Sequence, residues 1–500
     1  MQTSEAAVGS ESPPIEHPVR PPVIRNAMFL VVAQAVVTPI SVIVNAIAAR
    51  SLGPTDFGRM YLATTLAAFA LLFVEWGQTG ALTGKVAIDR SRAGELLGSG
   101  LTWRLGAAAA VFVILPLGCL LAGYDWNFIK VLALALCATT LLTIANACQD
   151  VFRGFERTDF AAASYVGWQL LTALISVPTL LLGGGLVALL TAQAACAAVS
   201  AIFVLKMLPR MNVPHLSMRT ATVKELFLAG RGFLAFLVVI ALQPVVDVAM
   251  LSKFGSADSM GWHAAARKLV GILVYPASAL VAALYPTLCR LRISDEPAFR
   301  KTAADAFHVT TIAVMPLALG CALFPDIGIM IFSEQSYGPA EDNLRLLAIY
   351  ILLVYFSMPI GTCLASIGRQ SLWAVVQFAC IIVSAICDPP LIKWFQETTG
   401  NGGLGVCVAT VFSEILMVSA GLYLLPKGIL DRAVLKRLGA AVLAGATMAA
   451  IAIALKNFDV NVFVRAALAV LGYLAALRVF GAINAAELRA MVGMVRRRGG

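Results

Sequence analysis

The chain has 500 residues, of which 60% are hydrophobic and only 13% charged, about half the charged fraction of an average soluble domain. So little charge cannot cover the surface of a water-soluble body of this size, whereas roughly 300 apolar side chains supply many segments of the ~20 residues that cross a bilayer. A soluble enzyme, a nucleic-acid-binding module and a secreted disulfide scaffold are therefore excluded as descriptions of the whole chain, and the net charge of +10 reads as the basic bias of cytoplasmic loops.

Residues 1–26 are polar and Pro-rich (ESPPIEHPVRPP). They lack the basic start and small-residue cleavage site of a signal peptide and read as a disordered cytoplasmic tail. Fourteen apolar stretches follow, at about 27–49, 60–83, 100–122, 130–150, 160–183, 185–206, 227–251, 263–288, 304–325, 343–366, 371–392, 403–425, 438–455 and 462–480. Residues 27–206 and 227–425 each hold six of them, joined by a basic cytoplasmic linker at 207–226. Residues 426–500 hold a terminal pair and a basic cytoplasmic tail. With the N-terminus inside, alternating loops place 26 Lys and Arg inside and seven outside. That bias puts both termini in the cytoplasm and requires an even number of spans. Trp103, Trp126, Trp262 and Trp394 fall near span ends, where an interfacial aromatic belt would put them.

No loop is large enough to be a catalytic domain, so no enzyme activity is expected. The ten cysteines are scattered without a C-x-x-C, and the four histidines lie far apart. Neither a metal site nor a cofactor is expected.

The stretch 50–58 reads RSLGPTDFG and the stretch 252–261 reads SKFGSADSMG. Gly53 matches Gly255 and Asp56 matches Asp258, and each stretch follows a span that runs from inside to outside. Six spans separate the two, an even number, so the halves have the same orientation. This is the pattern of a parallel repeat about an axis along the membrane normal.

Charged side chains at membrane depth cost at least about 2.5–3.5 kcal/mol and persist where they face a cavity or a partner. Glu75, Asp247 and Glu414 are too short and too deep to reach the interface easily, and read as cavity or proton-path carboxylates. Arg231 and Arg345 lie nearer span ends, within reach of an interface. Arg267 and Lys268 are adjacent, so on a helix they point about 100° apart and at most one faces a cavity squarely. Either is close enough in sequence to pair with Asp247. Asp388 precedes two prolines and reads as structural.

The segment AARSLGPTDFGRMYLATTLAAF resembles the opening of bacterial polysaccharide (O-antigen-type oligosaccharide) flippases of the multidrug/oligosaccharidyl-lipid/polysaccharide exporter superfamily. Four further segments resemble that family in register. They are Asp247 with its following loop and HAAARKLVGI, VYPASALVAALYPTLCRL, FSEQSYGPAEDNLRLLAIY, and CLASIGRQSLWAVVQF. The likeness runs from about residue 26 to 425. It implies an all-α integral membrane fold of about fourteen helices, with two six-helix bundles around a central cavity and a terminal pair. It also implies alternating access. The expected substrate is an undecaprenyl-pyrophosphate-linked oligosaccharide, moved across the bacterial inner membrane for exopolysaccharide, O-antigen or capsule assembly. Membrane lipids are implied partners, with the pathway's polymerase and glycosyltransferases as candidates, and no nucleic acid. Arg231, Arg267, Lys268 and Arg345 are the implied binders of the pyrophosphate, and Glu75, Asp247 and Glu414 the implied coupling carboxylates. A carrier of lipid-linked peptidoglycan precursor would be expected to have a more basic cavity. The competing readings are an ion-coupled multidrug exporter of the same superfamily, kept open by the three carboxylates, a membrane-embedded polymerase or glycosyltransferase, and a scaffold or channel.

Overall fold

A computed structural model describes residues 21–482, other than 333 and 459. The expected tail as far as residue 20, and the basic end with Arg496, Arg497 and Arg498, lie outside the described residues. All regular secondary structure among the described residues is helical.

The first half contains α1 (Pro21–Glu75), α2 (Gln78–Ile88), α3 (Ala93–Leu121), α4 (Trp126–Gly154), α5 (Thr158–Leu181) and α6 (Leu186–Met207). The second half contains α7 (Thr220–Phe254), α8 (Ala257–Ser294), α9 (Glu296–Leu323), the short α10 (Pro325–Ile329) and α11 (Glu334–Tyr337), then α12 (Ala340–Ser366), α13 (Gln370–Thr399) and α14 (Gly403–Leu424). A terminal pair follows, α15 (Arg432–Lys456) and α16 (Val462–Val479).

Among the described residues, thirteen helical segments are long and apolar enough to cross a bilayer, and the first runs for 57 residues from Val32 to Ile88. That segment is two crossings. Gly53 breaks the helix with φ 71° and ψ 174°, and Pro54 restarts it. A residue with a side chain resists that φ, and proline suits the first turn of a helix because its missing N–H has no intrahelical partner there. The chain doubles back at this point, for Gln34 before the break and Glu75 after it line the same chamber. Counted this way the crossings number fourteen, in two bundles of six with a terminal pair.

The stretch at 50–58 is therefore less a loop than a single-residue kink between helices. Its counterpart is nearly as tight, with only Gly255 and Ser256 between α7 and α8. The second apolar stretch does not run unbroken to residue 83. Trp76 and Gly77, both at positive φ, divide α1 from α2.

The two halves meet at the Gly53 end of the bundle. A Cβ on Gly58 would stand 2.8 Å from the Gly261 nitrogen, and one on Gly261 would stand 2.1 Å from the Pro54 carbonyl oxygen, so α1 and α8 touch backbone to backbone. Close approach through small residues is how helices associate where lipid removes any hydrophobic drive between them. Arg50 donates to the carbonyls of Met330, Ile331 and Phe332 at 2.8–3.0 Å. The Tyr337 hydroxyl donates to the Ala49 carbonyl at 3.0 Å, and its ring sits 6.1 Å from that of Phe57. Thr55 donates to Asp258, which joins the two repeat stretches directly. The largest buried apolar cluster lies here and draws on both halves, including Phe57, Leu251, Ala264 and Leu347.

The opposite end is held differently. Trp76 stacks on Phe227 at 4.4 Å and gives its indole N–H to the Phe227 carbonyl. Trp103, expected in an interfacial belt, packs into this cluster 5.1 Å from Phe227. Trp262 is likewise engaged inside the protein, donating to the Ser336 carbonyl, while Trp126 and Trp394 are exposed. The terminal pair packs on α9. Ala441, Ala444 and Gly445 of α15 let it approach Met315 and Leu319, and the Tyr473 hydroxyl donates to the Ile312 carbonyl at 2.7 Å.

Candidate functional site

Between the halves lies a cavity of about 630 Å³, within the roughly 300–1,000 Å³ range of ligand sites. The first half contributes Gln34, Ser41 and Asn45 from the arm of α1 before the kink, Tyr61 from the arm after it, and Tyr165, Trp168 and Gln169 from α5. The second half contributes Pro244 of α7, a continuous stretch of α8 from Arg267 to Ile272, and Tyr350 of α12.

Both Arg267 and Lys268 line this cavity. The adjacency argument expected one at most. The cavity wraps far enough around α8 to touch six consecutive residues, so two long side chains reach it despite their different directions. The Arg267 guanidinium lies 5.1 Å from the ring centre of Tyr350, and the Lys268 ammonium 6.0 Å from that of Tyr61. Such cation–π contacts hold a charge in place without cancelling it. Among the described residues neither cation has a carboxylate oxygen within 4.0 Å, so no contact ion pair with Asp247 forms, but Arg267 interacts electrostatically with both Asp247 and Glu414.

The other two cations lie elsewhere. Arg345 sits at the start of α12, 48% exposed, and is paired with Asp342 at 2.5 Å and Glu341 at 3.2 Å. Arg231 is exposed on α7 and does not line the cavity.

Asp247 is buried behind the cavity. It accepts from the Thr410 hydroxyl at 3.4 Å through one oxygen, and its other oxygen has no hydrogen-bond partner among the described residues. Asp388 of α13 is fully buried with neither oxygen bonded, and interacts electrostatically with Asp247. The proline context led to a structural reading of Asp388, but the fold brings it beside Asp247. Glu414 is also buried and accepts from the Ser357 hydroxyl at 2.5 Å. No group of three or more His, Cys, Asp or Glu among the described residues is arranged to hold a metal ion.

Glu75 belongs to a second chamber, of about 360 Å³, in the first half. It accepts from Thr143 at 3.2 Å and Asn146 at 3.3 Å. Behind it sits Arg104 of α3, fully buried, which donates to the Thr143 carbonyl at 2.8 Å and lies 3.8 Å from Glu75 and 3.7 Å from Asp150. Asp150 in turn pairs with Arg153 at 2.9 Å. Arg104, Asp150 and Arg153 were not singled out from the sequence. Arg104 stands near the start of the third apolar stretch, in LTWRLG, and the search that found Glu75 could have found it.

The geometry can be compared with known proteins. A family profile described as "Polysaccharide biosynthesis protein" matches residues 23–292, more than half of the chain. A sequence search of curated proteins returns no match. Among solved structures, the chain is similar to lipid II flippase MurJ in an inward closed conformation, with 13% identity and a TM-score of 0.68 over 91% of this chain and 98% of that one. It is also similar to an inward-facing multidrug resistance MATE family transporter of the MOP superfamily, with 14% identity and a TM-score of 0.64 over 81% of this chain and 98% of that one. A third similar structure is a MOP superfamily transporter from Pyrococcus furiosus, with 13% identity and a TM-score of 0.55 over 80% and 94%. At these identities the likeness establishes the shared fold.

Proposed function

We propose, from the premise that this chain belongs to the polysaccharide biosynthesis protein family, that it is a flippase for undecaprenyl-pyrophosphate-linked oligosaccharide repeat units. It carries them from the cytoplasmic to the periplasmic leaflet of a bacterial inner membrane, for exopolysaccharide, O-antigen or capsule assembly. The observation that carries this reading is the pair Arg267 and Lys268, two cations side by side on the wall of the central cavity, neither with a carboxylate oxygen within 4.0 Å among the described residues. A pyrophosphate entering that cavity leaves water for a medium of lower effective dielectric, where its attraction to a nearby cation is several-fold stronger than in bulk solvent. The excess of Lys and Arg on one set of loops supports a cytoplasmic position for both termini. The Gly53 end is then periplasmic, and its seal leaves the cavity to be loaded from the cytoplasmic side. Asp247 and Glu414, buried behind the cations, and Glu75 in the adjoining chamber are the groups through which ion or proton binding couples to the change of access. Polymerase and glycosyltransferases of the same pathway are the natural partners, and the flippase itself carries out no covalent step.

The test is gene deletion in the host followed by complementation. Deletion is expected to abolish the polymer and to accumulate lipid-linked repeat units, whose glycan identifies the substrate. The double variant Arg267→Ala, Lys268→Ala should reach the membrane normally and restore at most about a tenth of the transport, because charge-assisted hydrogen bonds contribute ~1.5–3 kcal/mol. Full restoration by the double variant would remove these cations from the site. Intact polymer with new sensitivity to cationic drugs would identify a multidrug exporter instead.

A further inference from the structure

The second chamber has a chemistry of its own. It lies beside the central cavity and shares Gln34 and Tyr165 with it. Its wall is polar: Glu75, Thr79, Asn146, Gln149, Asp150 and Arg153. Two carboxylates face two guanidiniums, those of Arg153 at the wall and Arg104 behind it, so the formal charges balance. A pyrophosphate gains little from a wall whose two anions offset its cations. A hydroxyl-rich uncharged group gains hydrogen bonds from every part of it, since carboxylates accept, guanidiniums donate, and amides do both.

Hydrogen-bonding capacity is left over here. Asp150 is fully buried between Arg153 at 2.9 Å and Arg104 at 3.7 Å, yet its Oδ2 accepts no hydrogen bond among the described residues. Gln149 is 5% exposed and makes no side-chain hydrogen bond there either, although it lines the chamber. At the junction with the central cavity, the Trp168 indole N–H is also unbonded, and its ring stands 6.1 Å from that of Tyr165. Hydrogen-bonding groups left unpaired around a cavity of ligand size are available to a bound ligand.

We propose that this chamber is the glycan subsite, and that it recognises an uncharged, hydroxyl-rich sugar of the lipid-linked substrate while Arg267 and Lys268 hold the pyrophosphate. The proposal rests on the flippase reading and adds a division of labour to it. The second half reads the part of the substrate common to all such lipids. The first half reads the part that differs between them. A uronic acid or other acidic sugar would gain no net charge attraction there to offset its desolvation.

The experiment measures binding to purified protein in nanodiscs with two probes. One is undecaprenyl pyrophosphate without sugar, and the other is the lipid-linked oligosaccharide pool extracted from the host's own membranes. Wild type is expected to bind the second more tightly than the first. Gln149→Leu removes a chamber amide without disturbing any hydrogen bond among the described residues. It should weaken the sugar-bearing lipid about two- to tenfold, the effect of one net hydrogen bond, and leave the sugar-free lipid unchanged. Gln149→Met, closer in length to glutamine, gives the same readout should Gln149→Leu fold poorly. Arg267→Ala should weaken both probes equally. Equal wild-type affinity for the two lipids, or a chamber variant that moves both or neither, overturns the glycan subsite and leaves the flippase reading intact. Binding of neither lipid by wild type overturns both.

Discussion

Replacing Gly261 with alanine tests how the halves are sealed. The new Cβ would stand 2.1 Å from the Pro54 carbonyl oxygen and 2.6 Å from the Pro54 carbonyl carbon. Both are backbone atoms and cannot swing aside, so α1 and α8 must separate. Overpacking of this kind costs about 1–3 kcal/mol. The penalty falls on the conformation in which the Gly53 end is shut. If that end opens during transport, the open form escapes the cost and its population relative to the shut form rises about 5- to 150-fold. Ala49 reports on the opening, because it is fully buried in the seal under Tyr337. Ala49→Cys is introduced after the ten native cysteines have been replaced, and a membrane-impermeant maleimide is added from the side of the membrane on which the Gly53 end lies. Labelling of Ala49→Cys should accelerate by that factor in Gly261→Ala, up to the point where the open form dominates. Gly106→Ala is the control, for its Cβ would meet nothing within 4 Å. Unchanged labelling in Gly261→Ala would show that the glycine contact does not hold the seal, and the alternating-access account of this end would fail with it.

Two further outcomes follow from the ion pairs. Arg104→Met deprives buried Asp150 of its fully buried counter-charge while Arg153 stays 2.9 Å away, so the protein should lose stability in detergent melts by less than the ~3–5 kcal/mol of an uncompensated buried charge. Adding Asp150→Asn should recover part of that loss, and a double variant no better than the single one would deny the coupling. At the end opposite Gly53, Lys85 and Arg92 hold the Glu225 carboxyl below its ordinary range. A depressed folded value means that the stabilisation is complete above the unfolded carboxyl pKa of about 4.3 and is lost as the pH falls through the lower folded value. Wild type should therefore outlast Glu225→Gln at neutral pH and lose that advantage below about pH 4. A difference that does not change with pH would mean that the charge of Glu225 is irrelevant to it.

The architecture was legible because its signals are local or summed over the chain. Hydropathy gives the crossings and loop charge gives their sense, and Gly53 and Gly255 mark equivalent turns by their neighbours alone. The break at Trp76 and Gly77 was not legible, because a single glycine between Glu75 and Gln78 in LLFVEWGQTG is equally compatible with a continuous span. Its cause is distant in sequence. A Cβ on Gly77 would strike the Gly230 carbonyl oxygen at 2.4 Å, so α7 of the other half presses on this point. The site was read in part for the same reason. Glu75 stands out as a charge in an apolar run, but its setting depends on Arg104, whose partners Thr143 and Asp150 lie far along the chain. Arg345 has acidic neighbours three and four residues before it, the spacing at which helical side chains meet, so its surface pairing could have been read from the sequence.

The placement of α7 ties the two ends together. Its first turns belong to the first half, through Glu225 on Lys85 and Arg92, Phe227 on Trp76, and Gly230 against Gly77. Its last turns belong to the second half, where Asp247 meets Thr410 of α14. A straight rigid helix fastened to both halves would oppose their movement. Between the two attachments lies Pro244, which lacks the N–H that would continue the helical ladder and which lines the central cavity. The weakest point of α7 therefore faces the substrate space, three residues before the buried carboxylate Asp247. A change in that carboxylate's occupancy and a bend of the helix are adjacent events on one element. Were Asp247 to bind the coupling ion, as proposed, its effect on access would need no relay longer than a single helical turn.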